Sequence, residues 1–300
     1  MIQRAKQRTT RVRGFAPWRP QAESLELLRD VQAVLATFRA YLPVTLRQVF
    51  YRLVATRGYP KDENAYARLC ETLNRARRGG MLEWDAIRDD GFTKRVASSW
   101  DSPADWAAAV VASAKQYRRD RQEGQARRLV VWCEAGGMVP QLERVAAEYS
   151  VPVYSSGGFD SVTAKHAVAE EFSAMGAATV LHIGDLDPSG VHMFGSLDED
   201  VRAFLEQLGG DVVFVRLAVT REQVDAMGLP TAPPKATDRR AFSGDTVQAE
   251  AIPPDELARI VRRAIVDRRD PEAVAGITYL EEQDRESVVS AADKLARGLE

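Results

Sequence analysis

The chain has 300 residues, 45% apolar and 28% charged, the balance of an ordinary globular protein with about two domains. Its longest apolar run, Trp106 to Ala112, is far too short for a membrane helix, and no leader-like apolar stretch follows the N-terminus. Two cysteines, Cys70 and Cys133, are too few for a disulfide framework or a Cys-rich zinc site, so a reducing cytoplasm is expected.

The net charge of −2 hides an asymmetry. Residues 1–98 carry 19 Lys and Arg against 10 Asp and Glu, a net of +9, so the remainder is strongly acidic. A basic front end on an acidic body points to nucleic acid. Residues 1–20 read as a basic tail, either a solvated segment or a DNA-contacting arm.

Residues 21–38 predict a helix, with Leu25, Leu28, Val31 and Leu35 on one stripe. A second helix is predicted over 45–57, with Thr45 as N-cap and Gly58 as its stop. A third spans 63–78 and closes at Gly79-Gly80. A short extended hairpin should follow, turning at Asp89-Asp90-Gly91. Three helices and a hairpin, over 21–98, is the order of a winged helix-turn-helix. The third helix takes the recognition position, and Arg68, Arg75, Arg77 and Arg78 are candidate phosphate contacts along it. Arginines at a helix C-terminus also simply complement the helix dipole. Arg52, on the second helix, joins the DNA-binding candidates.

Residues 99–126 read as a helical connector. From 127 the pattern alternates: strand 129–133, helix 140–149, strand 151–154, helix 162–175, strand 179–183, helix 197–208, strand 212–218. Such alternation predicts a parallel α/β sheet. Residues 229–254 are irregular, and helices return at 255–268 and 284–299, making 127–300 one α/β domain with a helical extension.

Ligands of open parallel sheets bind at the carboxyl ends of the strands. There the sequence puts Glu134, then Ser155 to Gly158, then Gly184-Asp185-Leu186-Asp187-Pro188-Ser189-Gly190. Glu134 would face Asp185 and Asp187 if their strands are neighbours. Three carboxylates make a hard oxygen site suited to Mg²⁺ with waters and substrate phosphates. Asp-Pro-Ser-Gly alone is also a good type I turn. Lys165, opening the helix after Gly157-Gly158, is a further DNA-facing candidate.

On the second helix Leu46, Val49, Phe50, Leu53 and Val54 form an apolar stripe. Tyr51 falls about 60° beyond its edge, with Arg47 one turn before it on the same side. Phe50 is then the core aromatic and Tyr51 the displayed one. A phenol of pKa about 10 needs a nearby cation to act as a nucleophile at neutral pH. Tyr59 and Tyr66 rank behind it, and His182, inside an apolar strand, reads as a core histidine.

Glu at the end of one strand and Asp-x-Asp-Pro-x-Gly at the end of a later one resemble the Toprim domain. More narrowly, the chain is similar over residues 40–270 to the A subunit of topoisomerase VI, a type IIB enzyme, and to the meiotic double-strand-break transesterase. Those proteins set a winged helix before the Toprim domain and carry Arg-x-x-Tyr-Tyr, whose second tyrosine is the nucleophile. Arg47-Gln48-Val49-Phe50-Tyr51 stands in the matching place, with Phe50 for the first tyrosine. The stretch from Gln248 to Leu257 is similar to a Glu-x-x-Ala-Leu-like element of the family. The resemblance implies Mg²⁺-dependent cleavage of double-stranded DNA by Tyr51 transesterification, with Glu134, Asp185 and Asp187 holding the metal. It also implies a homodimer in which one protomer's tyrosine meets its partner's metal, a separate ATPase subunit for topoisomerase activity, and a nucleoid-associated location. A Toprim nuclease using metal-activated water, or a non-catalytic DNA-binding protein, are the alternatives.

Overall fold

The computed structural model describes residues 14–88, 96–155, 162–234, 238 and 240–299. Residues 1–13 of the basic tail, the Asp89-Asp90-Gly91 turn and Gly157-Gly158 lie outside the described residues. The chain is α/β, with parallel sheets.

Three helices open it: α1 (Ala22–Thr37), α2 (Leu46–Arg57) and α3 (Glu63–Arg78). Thr45 and Gln48 form a capping box that satisfies two otherwise orphaned N–H groups at the start of α2. Gly58 ends α2 at φ 63°, a conformation that costs glycine little. Asp62 caps α3 by accepting from the Ala65 N–H. The extended hairpin expected after α3 differs in the described residues. Strand β2 (Ile87–Arg88) pairs in parallel with β1 (Val44–Thr45), which immediately precedes α2. The end of this segment is therefore laced back to the start of α2.

Only Pro103–Ala114 of the connector is helical (α4). The charged run after it folds onto the last helix, α10 (Pro271–Arg297). Arg121 pairs with the buried Glu281 at 2.7 Å, and Arg119 with Asp284 at 2.6 Å.

Strands β3 (Arg128–Cys133), β4 (Val153–Ser155), β5 (Ala177–Ile183) and β6 (Asp211–Ala218) make one parallel sheet in the order β4-β3-β5-β6. Successive side chains alternate between two cores. Leu129, Val131, Cys133, Leu181 and Ile183 join α5 (Val139–Ala146) and α9 (Pro254–Val266). Val130, Trp132, Ala178 and Val180 join α6 (Val162–Met175) and α7 (Pro188–Leu208) on the other face. Helix α7 begins nine residues before its expected start. Asp187 is its N-cap and Pro188 its first residue, so Asp-Pro-Ser-Gly opens a helix here. A short helix, α8 (Arg221–Met227), follows β6.

The first core continues without a break from α1–α3 into the sheet: Leu53 and Leu69 belong to the same cluster as Val131 and Leu257. A buried amide pair reinforces the junction. Gln48 on α2 donates to Gln141 on α5 at 2.8 Å, and Gln141 donates to the carbonyls of Tyr41 and Pro43 at 3.1 Å. These contacts hold α2 against the carboxyl edge of the sheet.

Candidate active site

Strands β3 and β5 are neighbours, but the helices that follow them pack on opposite faces. The crevice between their carboxyl ends is a topological switch point. Glu134 follows β3 and Asp185 follows β5. The Asp185 N–H donates to Glu134 Oε2 at 3.1 Å, so the two carboxylates share the crevice. Glycines make the room. A Cβ on Gly184 would lie 2.4 Å from the Glu134 carboxyl carbon, and one on Gly190 would lie 2.4 Å from the Asp185 carbonyl.

The charge in this crevice is incompletely satisfied. Glu134 Oε1 lies 3.1 Å from His182 Nε2, yet it is buried without an aligned hydrogen-bond donor. Burial pushes His182 below the ordinary histidine pKa, against the pull of Glu134, so this close neighbour is held neutral. Asp185 is pushed up to about 6, first by burial and then by Asp187 and Glu134. An Ala249 N–H at 2.8 Å and Arg47 offset part of that cost. One oxygen of Asp187 accepts the Gly190 N–H at 2.7 Å in its role as N-cap. Arg216 of β6 reaches under the loop, donating to the Gly184 carbonyl at 3.0 Å and to that of Asp185.

The donor set is all oxygen, with one carboxylate oxygen orphaned and one carboxyl driven toward protonation, and this fits a divalent hard cation. Among the described residues no three His, Cys, Asp or Glu groups already converge as a cage. Mg²⁺ characteristically takes one or two carboxylates and completes its shell with waters and phosphate oxygens.

Helix α2 supplies the other wall. Arg47, Phe50 and Tyr51, with Tyr66 of α3, line a cleft of about 940 Å³ together with Asp185 and Asp187. A second cleft of about 440 Å³ adjoins it, lined by Arg47, Tyr66, Arg88, Glu134, Asp185 and Glu250. Arg47, Tyr66 and Asp185 are common to both. Arg47 lies 3.7 Å from Glu250 and 3.5 Å from Gln248 Oε1, and Tyr66 lines both clefts beside it.

Tyr51 is less displayed than its helical phase implies. It is 9% exposed against 5% for Phe50, with the Phe50 ring 5.3 Å away and Lys61 over its own ring at 5.6 Å. The physical reason is a second covering layer. Lys61 donates to the Pro230 carbonyl at 2.7 Å, and Ala232, Pro233, Thr246 and Gln248 line the cleft opposite α2. Burial, then the charge of Glu250, pushes the Tyr51 phenol up to about 12; Arg47 acts in the opposite direction. Tyr59 is a structural group whose hydroxyl donates to the Ala65 carbonyl at 2.9 Å.

The arginine candidates have local partners. Arg52 lies over the Phe38 ring, and Arg68 pairs with Glu23 at 2.7 Å. Arg75 pairs with Glu71 at 2.6 Å. Arg77 donates to the carbonyls of Trp84 and Ile87, and Arg78 to Asn74 and the Gly14 carbonyl. Lys165 corrects the expectation of a DNA-facing group: it is 9% exposed and ties α6 to α7 through Ser196 and Asp200. A lysine buried at a helix–helix contact needs such a partner.

Sequence reasoning gave Glu250 and Arg216 no role of their own, and it missed the closeness of His182 to Glu134. Glu250 is 7% exposed, an acid between two buried alanines, and Arg216 is a charge within the otherwise apolar stretch 212–218. Both were visible as single polar residues in apolar surroundings. No family model matches the chain, and comparisons with curated proteins and with solved structures return no match.

Proposed function

We propose that this chain is a Mg²⁺-dependent DNA strand-cleaving enzyme acting by tyrosine transesterification, like the A subunit of topoisomerase VI. In this reading residues 21–98 are a winged-helix DNA-binding unit and residues 127–300 a Toprim-type domain. The observation that carries it is one cleft lined by Tyr51 and Arg47 from α2 and by Asp185 and Asp187 from the switch-point loop, with Glu134 beside Asp185.

The chemistry conserves bonds. Tyr51 Oη forms a bond to phosphorus and gives up its proton. The phosphorus–oxygen bond to one deoxyribose breaks, and the departing oxygen takes up a proton. The backbone ester is thereby stored as a phosphotyrosyl link. Glu134, Asp185 and Asp187 would hold Mg²⁺, which when bound supplies positive charge to the phosphate oxygens. Arg47, which lines the same cleft, would steady that phosphate. Burial and the Glu250 and Asp185 charges keep the Tyr51 phenol protonated in the free protein, which suits a nucleophile needed only when DNA is seated.

The burial of Tyr51 also favours a second reading, hydrolysis by metal-activated water. The partners proposed are double-stranded DNA, a second copy of the chain and, for strand passage, a separate ATPase subunit. Supercoiled DNA with Mg²⁺, quenched in detergent with and without protease, separates the readings. Protein covalently on DNA ends supports transesterification, free ends support the hydrolase, and intact DNA with every divalent metal refutes both.

A further inference from the structure

We infer that Arg216 is the positioning residue of the carboxylate crevice, a fixed fork of donors that shapes the 184–190 loop for a divalent cation. This rests on the metal site of the function proposed above, and it holds whichever protomer supplies the tyrosine. Arg216 lies near the end of β6, paired in register with His182 of β5. Alternation along the strand puts it on the face of Val212 and Phe214, beneath α7. There one guanidinium serves four backbone carbonyls. It donates to Gly184 at 3.0 Å and to Asp185 in the loop, to Val219 at 3.3 Å beyond β6, and to Gly190 at 3.5 Å in the first turn of α7. It also lies over the Phe194 ring at 5.7 Å. Both ends of the loop that carries Asp185 and Asp187 are thus tied to one planar group.

The tie reaches Glu134 through a single peptide plane. The Gly184 carbonyl faces Arg216, and the Asp185 N–H of the same rigid peptide donates to Glu134 Oε2 at 3.1 Å. Fixing one end of that plane aims the other. The Gly184 carbonyl also accepts the Val219 N–H at 2.9 Å, so loss of the arginine loosens this peptide without orphaning it. The dipole of α7 does not account for the placement, because the N-terminal end of a helix disfavours a cation. The charges of Glu134, Asp185 and Asp187 all act on the guanidinium, which stays charged. As a bare counter-charge Arg216 would compete with a metal ion for these carboxylates, and its removal would tighten metal binding. As a positioning group its removal lets the loop drift, and metal binding weakens. Its hydrogen bonds go to backbone carbonyls, which favours the second sign. Lysine keeps the charge but not the planar fork, so it separates the two roles.

The test reads metal binding in the full-length protein without DNA. Mn²⁺ is titrated with its free fraction read by electron paramagnetic resonance, and Mg²⁺ is followed by competition. Arg216→Lys and Arg216→Gln should each weaken Mg²⁺ binding by about ten- to a hundredfold, with wild-type circular dichroism. Wild-type affinity in Arg216→Lys overturns the inference. If Arg216→Lys does not fold, Arg216→Gln decides by sign: weaker binding upholds the inference, and equal or tighter binding overturns it. Failure of both variants to fold makes Arg216 a structural tie, which also overturns it. A wild type that binds neither metal removes the site, and this inference with it. A wild type that binds metal but leaves DNA intact refutes the proposed reaction, while the titrations still decide the role of Arg216.

Discussion

The carboxylate crevice and the C-terminal end of α3 both concentrate charge of one sign, and they resolve it in opposite ways. At the end of α3, Arg75, Arg77 and Arg78 each have an acidic, amide or carbonyl partner within hydrogen-bond reach, although Arg77 Nε itself is buried without one. In the crevice, Glu134 keeps a buried oxygen without an aligned donor, and Asp185 is raised to about 6. Clustered charge whose every member holds a local partner describes a structural tie. Clustered charge left unsatisfied at a switch point is what the proposed metal site would require. Breaking either side of this contrast has measurable consequences of different size.

The largest effect belongs to Asp185. Asp185→Asn should lower Mg²⁺-dependent cleavage by about 10²–10³-fold, a loss typical of removing one electrostatic group from a preorganised site. In metal-free protein the same variant should be more stable at neutral pH. The folded-state pKa of about 6 stands above the ordinary 3.8, so the folded state keeps a proton that the unfolded chain releases. Stability is therefore complete below pH 4, falls as pH rises from about 4 to 6, and stays lower above. The full difference is about 3 kcal/mol. Denaturant titrations of wild type and variant across pH 4–8 test this, and the gap should shrink in the wild type once Mg²⁺ is added. A gap that is flat with pH would show that Asp185 ionises at no cost.

The next effect separates two adjacent rings on α2. Phe50 packs edge-on against Tyr51, Tyr59 and Tyr66, with ring centroids 5.2–6.1 Å away. Phe50→Ala should cost about 3–5 kcal/mol. Tyr51→Phe loses only a hydroxyl and should change stability by less than about 1 kcal/mol, while abolishing any covalent protein–DNA adduct. Equal destabilisation by the two changes would mean that the Tyr51 hydroxyl is structural, which favours the water-using nuclease.

Helices α1, α2, α3 and α6 were legible because a clean apolar stripe, a capping side chain or a glycine stop marks each in the local sequence. The carboxylates were legible because strand ends punctuated by Gly pairs are recognisable without knowing the strand order. What was hidden depends on partners far along the chain. Asp187-Pro188-Ser189-Gly190 satisfies both a turn and a helix N-terminus, and only packing of α7 on the sheet decides. A stripe on α2 says nothing of Pro230, Ala232, Pro233, Thr246 and Gln248, which lie on the other side of the cleft from Tyr51. Lys165 looked like a phosphate contact until α6 met Asp200 on α7. Glu250 joins the crevice only through the chain's return after β6, over a hundred residues beyond Glu134.

The arginine cluster should give the smallest effects, and they set the other limit of the contrast. Arg77 should matter most within it, because its removal orphans the Trp84 and Ile87 carbonyls and uncovers the Trp84 ring, which it overlies at 4.7 Å. That loss is on the order of 1–3 kcal/mol. Arg75 is half-exposed and paired one turn back with Glu71, so Arg75→Ala should change stability by only about 0.3–0.5 kcal/mol. Its effect on DNA is the sharper measurement. An arginine that contacts phosphate contributes about one unit to the slope of log affinity against log salt. An arginine that keeps its internal partner contributes none, because it releases no counter-ion from DNA. Replacing Arg75, Arg77 and Arg78 together by Ala should therefore leave the salt slope within about one unit of wild type, measured by anisotropy of a labelled duplex in EDTA. A fall approaching three units would show that DNA draws all three off their local partners, and this end of α3 would then be a phosphate-binding surface.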